Sequence, residues 1–202
     1  MFSISSLLNA PTSETTTGKI FRIDYPMKSN RSFQPVGSCN GLVCFQTGEN
    51  ELFLCNPCIK SSLTLPNSGM EKPRCIFSNF GFGYDMSNDD CKVVGVFDFH
   101  HNRSYKIKVY SLKNNAWHTT EDFKRGVPCS SLVNVSIVSG KLYWLSSIGS
   151  FELADEIYRD MEPPNAEASV GHNGLGEIGG CLSVFYDNGR RHMGDGVLDQ
   201  VL

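Results

Sequence analysis

Cysteines are the residues of this sequence whose spacing most readily suggests a chemical function, either metal binding or thiol redox activity. The chain contains eight, and Cys39, Cys44, Cys55 and Cys58 are close enough together to suggest a zinc site, in which paired thiolates hold the metal. A strand start is expected between Cys39 and Cys44, however, and Cys44 lies in an alternating apolar run. We therefore interpret these four cysteines as buried thiols and predict no metal.

The segment from Cys55 to Cys58 also has the Cys-x-x-Cys spacing of redox-active thiols. Such a motif needs a thioredoxin-like βαβ setting and a helix N-terminus that lowers the pKa of the thiol. Neither is visible in the sequence, and Asn56 and Pro57 are residue types that begin turns. We interpret the segment as a turn.

Other catalytic signatures are incomplete. Gly81 and Gly83 lie in a Phe-Gly-Phe-Gly-Tyr segment that lacks the third glycine and the following helix of a dinucleotide-binding site. We interpret them as strand residues that let another element approach. No Gly-x-Ser-x-Gly nucleophile motif occurs in the sequence, and His118 and His172 have no recognisable catalytic partner by spacing. The sequence predicts a protein that is not an enzyme and that has no cofactor.

Charge and hydropathy narrow the classes of partner. The formal net charge is −3 and the pI is near 5.9, which lacks the basic surface typical of proteins that bind nucleic acid or anionic membranes. The apolar runs are far shorter than the ~20 residues that span a bilayer, and Met1–Ala10 has neither a basic region nor a clear cleavage site. We predict a cytoplasmic or nuclear protein that is not secreted and binds neither nucleic acid nor membrane.

The elements that position these residues are predicted to be short strands. From Val36 onward, runs of about 4–8 residues rich in β-branched and aromatic side chains are separated by turn residues, which is typical of strands. No long segment has apolar residues at the 3.6-residue spacing of an amphipathic helix. Leu153–Met161 is the nearest helical candidate, and Pro163-Pro164 end it. The predicted strand runs are Leu42–Phe45, Leu52–Cys55, Phe77–Tyr84, Lys92–Phe97, Tyr105–Tyr110, Val135–Val138, Leu142–Leu145, Ser150–Leu153 and Leu182–Tyr186.

These runs recur as an internal repeat. We predict a unit that consists of a glycine turn, an inner strand, a turn, a second strand, a short turn and then an aromatic residue or leucine. A four-stranded unit of ~40–50 residues is the size of a β-propeller blade, which buries its faces only against neighbouring blades. A β-sandwich fits the same strands equally well. The residues predicted to pack between units are Leu63, Trp117 and Tyr158.

A series of short motifs follows a fixed order: Val36–Cys44, Cys55–Pro57, Phe80–Asp85, Cys91–Val94, Val109–Leu112 with Trp117, Gly140–Trp144 and Ser150–Leu153. This series resembles the F-box associated domain of plant F-box and F-box/kelch-repeat proteins. The resemblance implies an all-β fold, a partial β-propeller of about three to four blades that is not a closed ring. The motif residues that carry it are Gly37, Asn40, Gly41, Asn56, Pro57, Gly81, Gly83, Trp117, Gly140 and Trp144.

The resemblance also implies a function. In that family the associated domain holds a substrate protein, and an N-terminal F-box recruits a Skp-type adaptor and, through it, a cullin ubiquitin ligase. We expect a protein–protein interaction module that recognises an unidentified substrate protein, and a Skp-type adaptor as partner only if the full-length form contains an F-box. Polar and aromatic residues on scaffolded loops often contact partners, so the candidate contact residues are Phe99, His100, His101 and Arg103.

The chain departs from the family pattern at both ends. No F-box is recognisable before Val36, and the sequence stops at Leu202, before the family's further blade strands. We expect a flexible leader over 1–19, a linker with a candidate short strand over 20–35 and an incomplete repeat domain over 36–202. Two alternatives remain open, an enzyme on a propeller scaffold and a non-functional fragment whose unpaired strand edges favour aggregation.

Overall fold

The computed structural model of the 202-residue chain describes residues 33–47, 51–69, 77–99, 104–120, 135–144, 149–160, 174–186 and 197–201. No helix occurs within these ranges, and so none that could span a membrane. The strands are β1 (Phe33–Cys39), β2 (Leu42–Thr47), β3 (Leu52–Asn56), β4 (Ser61–Thr64), β5 (Phe77–Asp85), β6 (Asp90–Phe99), β7 (Ser104–Ser111), β8 (Ala116–Thr119), β9 (Val135–Val138), β10 (Lys141–Trp144), β11 (Gly149–Glu152), β12 (Ile157–Asp160), β13 (Gly174–Ile178), β14 (Cys181–Tyr186) and β15 (Val197–Val201).

These strands form four separate antiparallel sheets, each built from consecutive strands. Sheet 1 contains β1–β4, sheet 2 contains β5–β8, sheet 3 contains β9–β12 and sheet 4 contains β13–β15. The first strands β1, β5, β9 and β13 contact one another from sheet to sheet, which is the arrangement of blades around a propeller axis. The predicted all-β, partial propeller is therefore confirmed, and the sandwich alternative is not observed.

In sheets 1, 3 and 4 the order of the innermost strand and the glycine turn differs from the prediction. The innermost strand precedes the glycine turn, whereas the sequence pattern placed it after that turn. At Asn40-Gly41, Ser139-Gly140 and Gly179-Gly180 both residues have positive φ, the conformation of a tight two-residue hairpin. Each of these hairpins joins an inner strand to the second strand of its sheet. Of the four inner strands, β5 and β9 coincide with predicted runs, whereas β1 and β13 were missed because β1 is largely half-exposed and β13 contains two glycines.

The segment named as the nearest helical candidate contains no helix in its described residues. Residues 153–156 form a turn, and Ile157–Asp160 forms β12. In this strand Tyr158 pairs with Phe151 of β11, whose side chain is fully buried. Burial alternates along the strand, since Ile157 and Arg159 are exposed and Tyr158 is half-buried, as expected when one face of a strand is covered.

Two apolar cores hold the first three sheets together, and sheet 2 contributes to both. On β6, Val93 and Phe97 belong to the core shared with sheet 1, whereas Val94 and Val96 belong to the core shared with sheet 3. Side chains alternate between the two faces of a strand, so a sheet that is covered on both faces needs apolar residues at consecutive positions. This requirement explains why β6 contains an apolar run from Val93 to Phe97 that is interrupted only by Gly95.

Glycines in the inner strands set the distance between neighbouring sheets. A Cβ atom added at Gly81 would lie 1.9 Å from Cδ2 of Leu142 in sheet 3. A Cβ added at Gly37 of sheet 1 would lie 2.7 Å from the carbonyl oxygen of Phe82. At Gly83 it would lie 2.9 Å from Ile137. The inner strands can pack this closely only because the side chain is missing at these positions.

Trp117 and Tyr158 occupy equivalent places in successive sheets. Trp117 is opposite Tyr110 and packs against the core between sheets 1 and 2, while Tyr158 is opposite Phe151 and packs against the core between sheets 2 and 3. Each therefore faces the preceding sheet. Leu63, by contrast, packs from sheet 1 against the core shared with the following sheet. Its spacing in the repeat is one residue longer, and a shift of one residue moves a side chain to the other face.

Candidate functional site between the second and third sheets

A buried lysine is the centre of a polar cluster that joins sheets 2 and 3. Lys92 of β6 directly precedes the apolar run of that strand, and its side chain is 7% exposed. Its Nζ atom lies 2.9 Å from Oδ2 of Asp85 and 2.9 Å from Oε1 of Glu156, and it donates a 2.7 Å hydrogen bond to the carbonyl oxygen of Leu153. An ammonium group has three donors, so all three of them have acceptors, two of which lie on sheet 3.

The turn between β5 and β6 holds Asp85 in place. Its Oδ1 atom accepts hydrogen bonds from the backbone N–H groups of Ser87 at 3.0 Å and Asn88 at 3.2 Å, and its Oδ2 atom accepts one from Nδ2 of Asn88 at 2.7 Å. An aspartate that accepts from the following backbone in this way stabilises a turn. Asn88 also donates to the carbonyl oxygen of Ala154 at 3.5 Å, which adds a second link to sheet 3.

Glu156 connects the buried lysine to the surface. Its Oε2 atom lies 2.6 Å from Nε2 of His118 on β8, and the side chains of His118 and Glu156 are 47% and 21% exposed. Glu156 itself has a positive φ of 56° at the end of the turn between β11 and β12. This backbone conformation turns the chain so that one carboxylate meets both Lys92 and His118. The histidine has a partner that its sequence spacing did not reveal, while His172 lies outside the described residues.

Charge pairing shifts two pKa values in the cluster. Burial by itself would raise the pKa of Asp85, but the hydrogen bonds from Asn88 and Lys92 outweigh burial and hold it below its ordinary value. Burial would likewise lower the pKa of Lys92, but its bonds to Glu156 and Asp85 hold it above its ordinary value. Both residues are therefore charged at neutral pH. The surface pair of Lys141 and Glu152, with 3.6 Å between Nζ and Oε2, is a looser and more exposed contact.

The four cysteines considered at the outset do not converge on one point. Cys44 and Cys55 are buried, as expected for thiols in an apolar core, and burial raises the pKa of both. Cys58, however, is exposed, so its predicted burial is wrong. The turn after β3 carries it outward, and its backbone N–H donates to Oδ1 of Asn56 at 3.0 Å. Within the described ranges, no group of three or more potential ligands could hold a metal.

The residues singled out in the sequence have several structural positions. Asn56 ends β3, and Pro57 begins the turn that follows it. Trp144 ends β10, opposite Val135 and Gly149. Phe99 is the last residue of β6 and pairs with Ser104 of β7. The remaining candidate contact residues, His100, His101 and Arg103, lie outside the described residues.

Comparison with known families agrees with this architecture of repeated sheets. Residues 1–173 match the family described as the F-box associated beta propeller domain. The chain belongs to this family. The matched span begins ahead of β1 and includes the first three sheets of the F-box associated domain.

Several Arabidopsis thaliana proteins are similar in sequence. An F-box/kelch-repeat protein is 31% identical over 198 residues, which cover 90% of this chain and 51% of that protein. The F-box protein CPR1 is 31% identical over 197 residues, covering 81% of this chain and 48% of CPR1. A putative F-box protein is 30% identical over 139 residues, covering 64% and 30%. The chain thus spans about half the length of the first two relatives.

Sequence reasoning missed the polar cluster of the F-box associated domain. The available signal was Lys92 itself, the single lysine of a strand whose centre is apolar. Such a residue needs an anionic partner when it is buried, but the partners Asp85 and Glu156 come from two different sheets. The cluster links the two sheets, because both Lys92 and Asn88 of sheet 2 bond to the turn between β11 and β12.

Proposed function

We propose that this domain is the substrate-recognition part of an F-box type ubiquitin-ligase subunit. The observation that carries the proposal is the family match over residues 1–173, together with four stacked sheets that form a scaffold for loops. The three relatives described above are named as F-box proteins, which supports the same assignment. On this proposal the domain binds a substrate protein through surface loops in the cytoplasm or nucleus and makes or breaks no covalent bond.

The strand order identifies two ends of the domain with different connections. At one end, turns of two to four residues follow the first and third strands of each of the first three sheets. Asn88 and Ala154 belong to such turns in neighbouring sheets and bond to each other, so these turns share one end. The opposite end carries the longer connections between Thr64 and Phe77, between Thr119 and Val135, and between Asp160 and Gly174. Long connections on a rigid scaffold are the usual place for partner contacts.

The two strands that flank the candidate contact segment reach the end with the long connections, where β6 ends at Phe99 and β7 starts at Ser104. We propose that Phe99, His100, His101 and Arg103 contact the substrate. Aromatic and arginine side chains often dominate the binding energy of protein interfaces, which supports their choice over the tight turns opposite.

The charged state of Lys92 in the polar cluster argues against a catalytic role for this lysine. Lys92 has an acceptor for each of its three donors and is held in its charged form by two carboxylates. A lysine nucleophile or base must instead be neutral, with its pKa lowered. We propose that the cluster has the structural task of aligning sheets 2 and 3, so that the loops keep their relative positions.

The test joins the chain to an F-box that assembles with a Skp-type adaptor. In plant cells, ubiquitinated peptides are compared between this fusion and the same fusion carrying Phe99→Ala, His100→Ala, His101→Ala and Arg103→Ala. We expect a set of proteins whose ubiquitination requires the unaltered domain and which bind the purified chain directly. We also expect the chain without the fused F-box to bind no Skp-type adaptor.

A control fusion carries Met86→Ala and Asp155→Ala in the tight turns of the opposite end, where both side chains are exposed. This control is expected to ubiquitinate the same proteins as the unaltered fusion. If no protein depends on the domain, the proposed function is wrong. If the control loses the substrates and the quadruple variant keeps them, the proposed contact surface is wrong.

A further inference from the structure

Two cysteines from different sheets meet at the boundary between sheets 1 and 2. The Sγ atom of Cys39, the last residue of β1, donates to the Sγ atom of Cys91 on β6 at 3.5 Å, although the two residues are 52 positions apart in sequence. Their closeness is a product of the stacking of the two sheets. It differs from the Cys-x-x-Cys spacing near Cys58, where the exposed thiol is part of a turn.

The surroundings of the pair make Cys91 the thiol that ionises first. Nδ2 of Asn40 lies 3.9 Å from Sγ of Cys91, and a donor of this kind stabilises negative charge on sulfur. The hydrogen bond from Cys39 lowers the pKa of Cys91 and outweighs the opposite effects of burial, Asp90 and Asp89. The same bond, aided by burial, raises the pKa of Cys39. When the pair loses a proton, the charge therefore lies on Cys91 and Cys39 keeps its proton.

The low exposure of the two cysteines favours oxidation by small molecules. Cys91 is 6% exposed, while Cys39 is half-buried at the edge of the core. The other buried thiols are less well placed, because Cys44 pairs with Leu54 and Cys55 with Val43. Cys44 and Cys55 thus point to opposite faces of sheet 1, so a bond between them would need a change of register.

We propose that Cys39 and Cys91 are an oxidation site at which a peroxide forms a reversible disulfide that fastens sheet 1 to sheet 2. The S–S bond of a disulfide is about 2.05 Å long, so the sulfur atoms need to approach by roughly 1.5 Å. In reducing compartments disulfides of this kind are transient and serve as sensors. The proposal is independent of the substrate-binding function.

The chemistry balances with a peroxide as oxidant. The Cys91 thiol gives its proton to the solvent, and the resulting thiolate attacks one peroxide oxygen. The O–O bond breaks, the leaving hydroxide takes a proton from the solvent to form water, and Cys91 becomes a sulfenic acid. The Cys39 sulfur then attacks the Cys91 sulfur, the S–O bond breaks, and the leaving hydroxide takes the Cys39 proton. Two thiols are oxidised, and one hydrogen peroxide is reduced to two waters. A thiol reductant reverses the bond by exchange.

The experiment treats the purified full chain with a small excess of hydrogen peroxide under native conditions. Remaining thiols are blocked, and peptides are mapped by mass spectrometry with and without reductant. We expect a cross-linked pair of peptides that contain Cys39 and Cys91, a mass lower by two hydrogen atoms, and complete reversal by reductant. We also expect the midpoint of urea unfolding to shift to higher urea in the oxidised chain.

Matched variants separate this site from the other cysteines. Cys39→Ala is expected to lose both the cross-link and the peroxide-dependent shift of the midpoint, whereas Cys44→Ala, a buried cysteine of the same core, is expected to keep both. Far-UV circular dichroism shows that each variant is folded. Oxidation that stops at Cys58, a disulfide that joins other cysteines, or a Cys39–Cys91 bond that leaves the midpoint unchanged would overturn the proposal.

Discussion

Replacing Gly81 by alanine tests whether sheets 2 and 3 pack as closely as described. At an unstrained strand position this change normally stabilises a protein by about 0.4–1 kcal/mol, because alanine restricts the unfolded chain. Here the new Cβ atom would lie 1.9 Å from Cδ2 of Leu142 and 3.0 Å from Cγ1 of Val135. Carbon atoms in contact normally lie about 3.5–4.0 Å apart, so one side chain must move.

The packing around Leu142 determines the size of the effect. Leu142 is 2% exposed and belongs to the core shared by sheets 2 and 3. Because protein cores are closely packed, its end can move aside only by displacing neighbouring side chains. Overpacking of such a core costs roughly 1–3 kcal/mol, which outweighs the gain from restricting the unfolded chain. We expect Gly81→Ala to lower the free energy of unfolding by about that amount, and the Tm by roughly 2–4 °C for each kcal/mol.

A double-mutant cycle with Leu142→Ala gives the sharper measurement. Leu142→Ala alone leaves a cavity and costs roughly 2–5 kcal/mol, but in the double variant the methyl group introduced by Gly81→Ala has room and the overpacking disappears. The combined cost is then about 1–3 kcal/mol smaller than the sum of the single costs. Urea unfolding, followed by tryptophan fluorescence, measures each free energy. An additive cycle, or a Gly81→Ala variant as stable as the wild type, would refute the close packing.

Gly41 offers a control glycine for the same cycle. It lies in the turn between β1 and β2 with a φ of +75°, and nothing lies within 4 Å of a Cβ atom added there. Gly41→Ala is therefore expected to cost about 1–2 kcal/mol of backbone strain without any interaction with Leu142. Its cycle with Leu142→Ala should be additive within about 0.5 kcal/mol.

Three further predictions concern buried polar groups. Lys92→Met removes the cation beside the buried carboxylate of Asp85 and is expected to cost roughly 3–5 kcal/mol, whereas Lys141→Met, which removes a surface pair, costs about 0–1 kcal/mol in the same urea titration. The pKa of Asp85 is lowered from 3.8 on folding, so its contribution exists above that pH and is lost on acidification. The stability difference between wild type and Asp85→Asn should thus be constant near neutral pH and shrink below about pH 4. Burial and Asp90 raise the pKa of Tyr110 to about 12, and its hydroxyl donates to Oδ1 of Asn115 at 2.6 Å. Tyr110→Phe should cost about 0.5–1.5 kcal/mol and remove a tyrosine that ionises at about pH 12 from an absorbance titration.

Local patterns in the sequence contain most of the information about the sheets. The glycine turns, the short apolar runs and the equivalent places of Trp117 and Tyr158 depend on neighbours along the chain, and these could be predicted. Leu63 was placed in the same series although its spacing is one residue longer, and that residue puts it on the opposite face. Inner strands such as β1 were missed, because their burial comes from other sheets and leaves no alternation in their own residues.

The polar cluster shows a different limit of prediction. A single lysine beside the apolar run of a strand indicates that an anionic group binds it when it is buried. Which residue supplies that group depends on which turn of the next sheet lies opposite. The same holds for Cys39 and Cys91, whose closeness arises from the stacking of sheets 1 and 2. Contacts between sheets are set by their mutual placement, which the pattern of any single strand does not contain.

Within each sheet of the described residues, strands pair only with strands adjacent to them in sequence. A sheet can therefore form in the order in which its strands are synthesised. A sheet of this kind can complete its hydrogen bonds as soon as its last strand leaves the ribosome, without waiting for distant chain. Local pairing of this type shortens the search during folding, and domains generally acquire structure from the N-terminal side during translation. Sheet 2 would then emerge next to a finished sheet 1 and sheet 3 next to a finished sheet 2, so that each newly made blade meets a docking face that already exists.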